Sequence, residues 1–166
     1  MGYTHYWDRP ETIPQEKFDE IVADFRKLLP KLRARGIRLR YDHDEDEPAE
    51  LSHDAVHFNG VDEDGYETFY FPRVYKPQFR QEAKKGLLFQ FTKTAHQPYD
   101  LAVTSFLLIA KHHLGNEIVV SSDGDDDDWD EATELVQKTL KYGDDLSFDD
   151  KGELNLCPTC KKELSA

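Results

Sequence analysis

Cysteine is almost missing from this chain: of 166 residues only Cys157 and Cys160 carry a thiol, both close to the C-terminal end. No disulfide framework can therefore staple the body of the protein, which has to rest on its own core. Long apolar runs are missing too. The richest stretch, Leu101 to Ala110, is roughly half of the ~20 residues that a spanning helix needs. Residues Met1 to Asp8 show neither a basic region nor an apolar run, so no secretory leader is expected and the cytoplasm is the expected compartment. Positive charge is in short supply. With 21 Lys+Arg against 34 Asp+Glu the net charge is −13, and a field of that sign repels DNA, RNA and anionic membrane at long range. Neither nonspecific nucleic-acid binding nor membrane association is expected. A small anion stays admissible, because a few converging Lys or Arg act at distances that screening hardly touches. The chain also has no glycine-rich phosphate loop, no nucleophile elbow and no His-Glu-x-x-His helix.

What remains is polar but foldable. Aromatics make up 12% of the residues, too many for a disordered chain, and the length suits one domain. Tyr3 to Trp7 alternates bulky aromatics with Thr4 and His5, as a first strand does. Phe18, Ile21, Val22, Phe25, Leu28, Leu29 and Leu32 recur at spacings of three and four, which predicts an amphipathic helix. Thr12 is its expected cap and Gly36 its stop, with Pro30 kinking or ending the last turns.

Strands are predicted at 37–41, 56–59, 67–71, 87–91 and 117–120, with a hairpin over 55–72 turning at Gly60 and Asp64-Gly65. A second, buried helix runs through Leu101 to Ala110 behind Pro98. A third carries Trp129, Ala132, Leu135, Val136 and Leu140, is started by aspartates and stops at Gly143. The predicted fold is α+β: a mixed or antiparallel sheet of about five to six strands with about three helices packed on it. One domain is expected over 1–143, and a polar acidic tail over 144–166.

Several residues stand where a core has no use for them. Tyr3, His5, Tyr6 and Trp7 combine hydrogen-bonding groups with ring faces that can stack on a base or sugar; the same residues also serve as a packed strand. Lys93, Thr94, His96 and Asp100 flank the start of the second helix, where unpaired N–H groups attract anions, unless Thr94 or Gln97 simply caps it. Glu67 and Thr68 interrupt an apolar strand, and an inward Glu67 would mark a site whereas an outward one would only face water. Ser122 and Asp123 follow the last predicted strand, in a loop position that often presents site residues.

Asp123, Asp125, Asp127 and Glu134 resemble the spacing of a calcium loop, but Asp128 stands where that loop needs glycine, which favours a solvated acidic helix start. Cys157 and Cys160 form half of a zinc knuckle. Zinc is a possible cofactor only if His43, His53, His57, the His112-His113 pair or a second chain completes the site.

The segments Gly2-Tyr3-Thr4-His5-Tyr6-Trp7, Glu67-Thr68-Phe69, Lys93-Thr94-Ala95 with Pro98-Tyr99-Asp100, and Ser122-Asp123-Gly124 together resemble a family of small, largely uncharacterised proteins found in bacteriophages and prokaryotes. The resemblance implies a phage accessory protein acting inside a host cell, of a kind that often counters host defence. The expected partner is a small anionic, nucleotide-like ligand such as a cyclic nucleotide immune messenger, bound and sequestered. Tyr6 and Trp7 would stack, Lys93 and Thr94 would hold phosphate, and His5 and Asp123 would meet base or sugar. An enzyme acting on a similar ligand, and an acidic mimic of nucleic acid built on 42–50 and 123–131, are the alternatives. A pocket or zinc shared between chains would require a homo-oligomer.

Overall fold

The computed structural model describes residues 2–42, 46–77 and 86–156. It is an α+β fold of three helices on small antiparallel sheets. The elements are β1 (Thr4–Arg9), α1 (Gln15–Ala34), β2 (Leu39–Arg40), β3 (Glu50–Leu51), β4 (Ala55–Gly60), β5 (Phe69–Pro72), β6 (Leu88–Lys93), α2 (Asp100–Leu114), β7 (Val119–Ser122), α3 (Asp130–Leu140), β8 (Leu146–Phe148) and β9 (Leu154–Leu156).

In the first sheet β1 is central, between β6 and β7, with Tyr6 opposite both Phe91 and Ser121. In the second, β3 and β5 take the two edges of β4, and β2 pairs with the end of β4 at Asn59 and Gly60. The predicted hairpin over 55–72 is thus β4–β5. Side chains join the two sheets: Gln90 donates to the Tyr70 carbonyl, and Arg9 donates to the carbonyls of Pro72 and Arg73.

Arg9 is wholly buried. Burial lowers its pKa to about 10, which leaves the guanidinium charged at neutral pH and makes its bonds to four backbone carbonyls necessary. The face of Phe71 lies 4.8 Å from it.

The core gathers under these sheets. Phe25 stacks on Phe58 and meets Phe106 edge-on, while Phe69 and Phe71 close on Phe106 at 5.1 Å each. α2 is buried around most of its circumference, as its sequence predicts. Among the described residues no helix is long and apolar enough to cross a membrane.

Four expectations about elements change. Thr12 does not cap α1; it bridges to Val74, and the chain enters the helix at Pro14 without a side-chain cap. Pro30 does not stop α1, which runs on to Ala34 with the proline on its exposed face. Gly36 does close the helix, at φ 79°, with Ile37 N–H returning to the Leu32 carbonyl. α3 stops at Lys141, held in the left-handed region, rather than at Gly143. The expected polar tail holds the β8–β9 hairpin, whose Leu146 and Leu154 join the core and whose Glu153 bridges to Ser121.

Candidate functional site

The alternation of β1 sends His5, Trp7 and Arg9 inward, all buried, and leaves Tyr6 half-exposed on the outer face. Trp7 is therefore core, donating its indole N–H to Gln90 and packing on Phe69 at 5.2 Å. It is not the stacking platform the sequence suggests.

His5 forms the centre of the inner network. One ring nitrogen, Nδ1, lies 2.7 Å from Ser122 Oγ and the other, Nε2, 2.6 Å from Asp100 Oδ1. Ser122 Oγ also accepts N–H bonds from Gly124 and from the Trp129 indole. Thr94, wholly buried, donates to the same Asp100 oxygen at 2.5 Å. The connectivity Ser122–His5–Asp100 is that of a nucleophile, a base and an orienting carboxylate. Here, however, the serine oxygen is ringed by two N–H donors and the imidazole has no solvent access. The arrangement acts as a brace between β1, β7 and α2.

Tyr3 and His96 complete this side. Their rings stack at 3.6 Å, and the Tyr3 carbonyl accepts the N–H groups of Thr94 and Ala95. Burial, then the carboxylates of Asp100 and Asp128, push the Tyr3 phenol well above its ordinary pKa. Ala95 and His96 both have positive φ, 53° and 60°, in a tight turn closed from Gln97 N–H to the Thr94 carbonyl. A non-glycine residue in that region is strained, and such strain gathers at sites.

Beside this turn a cleft of about 170 Å³ is lined by His96, Gln97, Thr104 and the carboxylates of Asp100, Asp128 and Glu131. Three of the first four α2 amides, expected as donors for an anion, are taken up internally. The amides of Asp100, Ala102 and Val103 go to the carbonyls of Gln97 and Tyr99, and the cleft wall is acidic.

The outer face is of a different character. β6 is inverted relative to its polarity: Gln90 and Thr92 are buried, while Phe89 is 42% and Phe91 56% exposed. Gln90 tolerates burial because Trp7 and Arg9 donate to its carbonyl oxygen and it donates to Tyr70. Outside, Tyr6 stacks on Phe89 at 6.1 Å and Phe89 leans on Phe91 at 5.8 Å. Lys93 follows Phe91 in the same alternation, its ammonium 5.5 Å from the Tyr66 ring. Asp123 closes the far edge, accepting the Tyr6 hydroxyl at 3.0 Å and the Thr4 N–H.

The predicted residues thus divide between two faces of one sheet. Tyr6, Lys93 and Asp123 meet outside; Tyr3, His5, Thr94, His96, Asp100 and Ser122 meet inside. Glu67 and Thr68 belong to neither. Glu67 is exposed and its carboxylate takes the Lys93 N–H, while Thr68 Oγ1 accepts from Asn59. Sequence reasoning missed Phe89 and Phe91, although aromatic and polar residues alternate plainly along 88–93. It also missed Asn59, wholly buried, whose amide holds the turn through Gly60, Tyr66 and Thr68.

No protein-family model, curated protein or solved structure matches this chain.

Of the metal candidates, Cys157, Cys160 and His43 lie outside the described residues. His53 pairs with Asp19, His57 stacks on Tyr41, His112 stacks on Tyr142, and His113 sits between Glu20 and Asp24. Among the described residues no three such side chains are arranged to hold a metal. Within the calcium-like run Asp125 and Asp128 cap each other's backbone N–H, and the intervening Asp126 accepts the Phe148 N–H.

Proposed function

We propose that the protein binds and sequesters a small, nucleotide-like anion on the outer face of the β6-β1-β7 sheet. The observation that carries this reading is the inversion of β6, which buries Gln90 and Thr92 while leaving Phe91 more than half exposed beside Lys93. Keeping apolar rings in water while polar groups are desolvated is costly, and such a face commonly marks a binding surface. A planar base gains ~1–3 kcal/mol from stacking on each aromatic ring, Lys93 offers a cation for phosphate, and the Asp123–Tyr6 pair offers polar contacts at the edge. The inner His5 network supports the reading by fixing β1, the end of β6 and the loop after β7, from which Tyr6, Lys93 and Asp123 project. The motif resemblance adds the setting, a phage accessory protein that removes a nucleotide messenger from a host.

Titration calorimetry with mononucleotides, linear dinucleotides and cyclic dinucleotides tests the proposal on the intact chain and on Phe91→Ala and Lys93→Ala. Binding that both substitutions weaken supports it. No binding of any member at millimolar concentration overturns it, and so does a Phe91→Ala effect confined to the chain's mass in solution, which would make the face a self-association surface.

A further inference from the structure

The run from Phe25 to Tyr41 contains seven of the chain's 21 Lys+Arg and no Asp or Glu. In a chain of net charge −13, that run concentrates the opposite sign, although Lys27, Arg35 and Arg40 pair with carboxylates outside it. The end of α1 and the connection into β2 wrap part of this run around a cleft of about 390 Å³, within the ~300–1,000 Å³ of small-molecule sites. The cleft lies among α1, β2 and β3, away from the aromatic face of the other sheet.

Its floor is apolar. Leu29, Leu39 and Leu51 pack against the core while keeping part of their surface exposed in the cleft. Its wall carries Arg33, Arg38 and Arg40, with Asp46 as the one acidic residue lining it among the described residues. Arg40 is partly neutralised, with Asp46 at 3.9 Å and Asp62 at 3.8 Å. Arg33 and Arg38 have no carboxylate within ion-pair distance among the described residues.

We propose that this cleft binds an organic oxyanion with an apolar body, a carboxylate or phosphate headgroup held by Arg33 and Arg38 and a hydrocarbon or ring lying on the leucine floor. Guanidinium forks match both headgroups in a planar, two-point geometry that an ammonium cannot supply. Like charges gathered on one wall repel each other, and an oxyanion between them removes that repulsion. The leucines exclude water from one side of the headgroup, which strengthens the same attraction. An inorganic anion would use only the wall and an uncharged apolar molecule only the floor.

Calorimetry with decyl phosphate, inorganic phosphate and decanol separates these cases on the full chain. Decyl phosphate is expected to bind one site per chain, and each partial probe at least about tenfold more weakly, the loss of ~1.4 kcal/mol or more. The double substitution Arg33→Ala with Arg38→Ala removes exposed side chains and leaves the fold intact by circular dichroism; it should weaken decyl phosphate about tenfold or more. Phe91→Ala should leave that binding unchanged, which keeps this site's test apart from that of the aromatic face. Absence of decyl phosphate binding, equal affinity in the arginine double variant, or inorganic phosphate binding as tightly as decyl phosphate would each overturn the proposal.

Discussion

His5 Nε2 stands 2.6 Å from Asp100 Oδ1, so the central strand and the first residue of α2 are fastened by a charge-assisted hydrogen bond. The same oxygen accepts the buried Thr94 hydroxyl. Asp100→Ala strips two buried donors of their partner at once. At ~1–3 kcal/mol for each unsatisfied group, the unfolding free energy should fall by about 3 kcal/mol, while Asp100→Asn, which keeps an acceptor, should cost less. Urea denaturation of both variants measures the difference; equal costs would mean that the carboxylate charge, not the acceptor, carries the bond.

Gly124 and Tyr3 are tied by space rather than by charge. A Cβ on Gly124 would lie 2.3 Å from the Tyr3 hydroxyl, with Asp128 at 3.0 Å on another side. Gly124→Ala should therefore destabilise by ~1–3 kcal/mol through overpacking. Part of that cost should vanish when Tyr3→Phe removes the oxygen. A double-mutant cycle with strictly additive costs would contradict the contact.

Ala95 holds φ 53° without being glycine. A left-handed conformation costs an L residue ~1–2 kcal/mol, and glycine avoids it at some entropic expense in the unfolded chain. Ala95→Gly should raise the thermal midpoint, an uncommon outcome for a glycine substitution. A lowered midpoint would show that the turn is not strained.

Asp24 links α1 to α2 and to the chain beyond α3, accepting hydrogen bonds from His113 and Tyr142 at 2.7 Å each. Burial pushes its carboxyl up, but the bonds from His113 and Tyr142 outweigh burial and hold it below the ordinary value. A depressed folded pKa contributes stability that is fully present above the unfolded value of ~3.9 and is lost as pH falls through the folded one. Thermal midpoints from about pH 6 to about pH 2 should accordingly converge for the wild type and Asp24→Asn at the acid end, the variant being the weaker at neutral pH. Parallel curves would exclude this carboxylate from acid unfolding.

The sequence made some of this legible because one signal dominated there. The three-and-four spacing along α1 and the all-round apolarity of α2 each leave one arrangement to choose. The β8–β9 hairpin was hidden because Leu146, Leu154 and Leu156 stand among acidic and polar neighbours, and three-residue strands have almost no periodicity to detect. The convergence of His5, Asp100 and Ser122 had a trace in the sequence, polar residues at strand and helix ends, but its geometry required partners 95 and 117 residues away. β6 misled for a physical reason. Alternation reveals that a strand has two faces, and burial of the apolar one is only the usual outcome; Trp7, Arg9 and Tyr70 reversed it by satisfying Gln90 inside.

The central place of β1 governs how the chain can be assembled. β1 is synthesised well before the two strands that flank it: Tyr6 must wait for Phe91 on one side and for Ser121 on the other. Until then both edges of this aromatic-rich strand are open. Long-range pairing of this kind slows folding and exposes the chain to association while it waits.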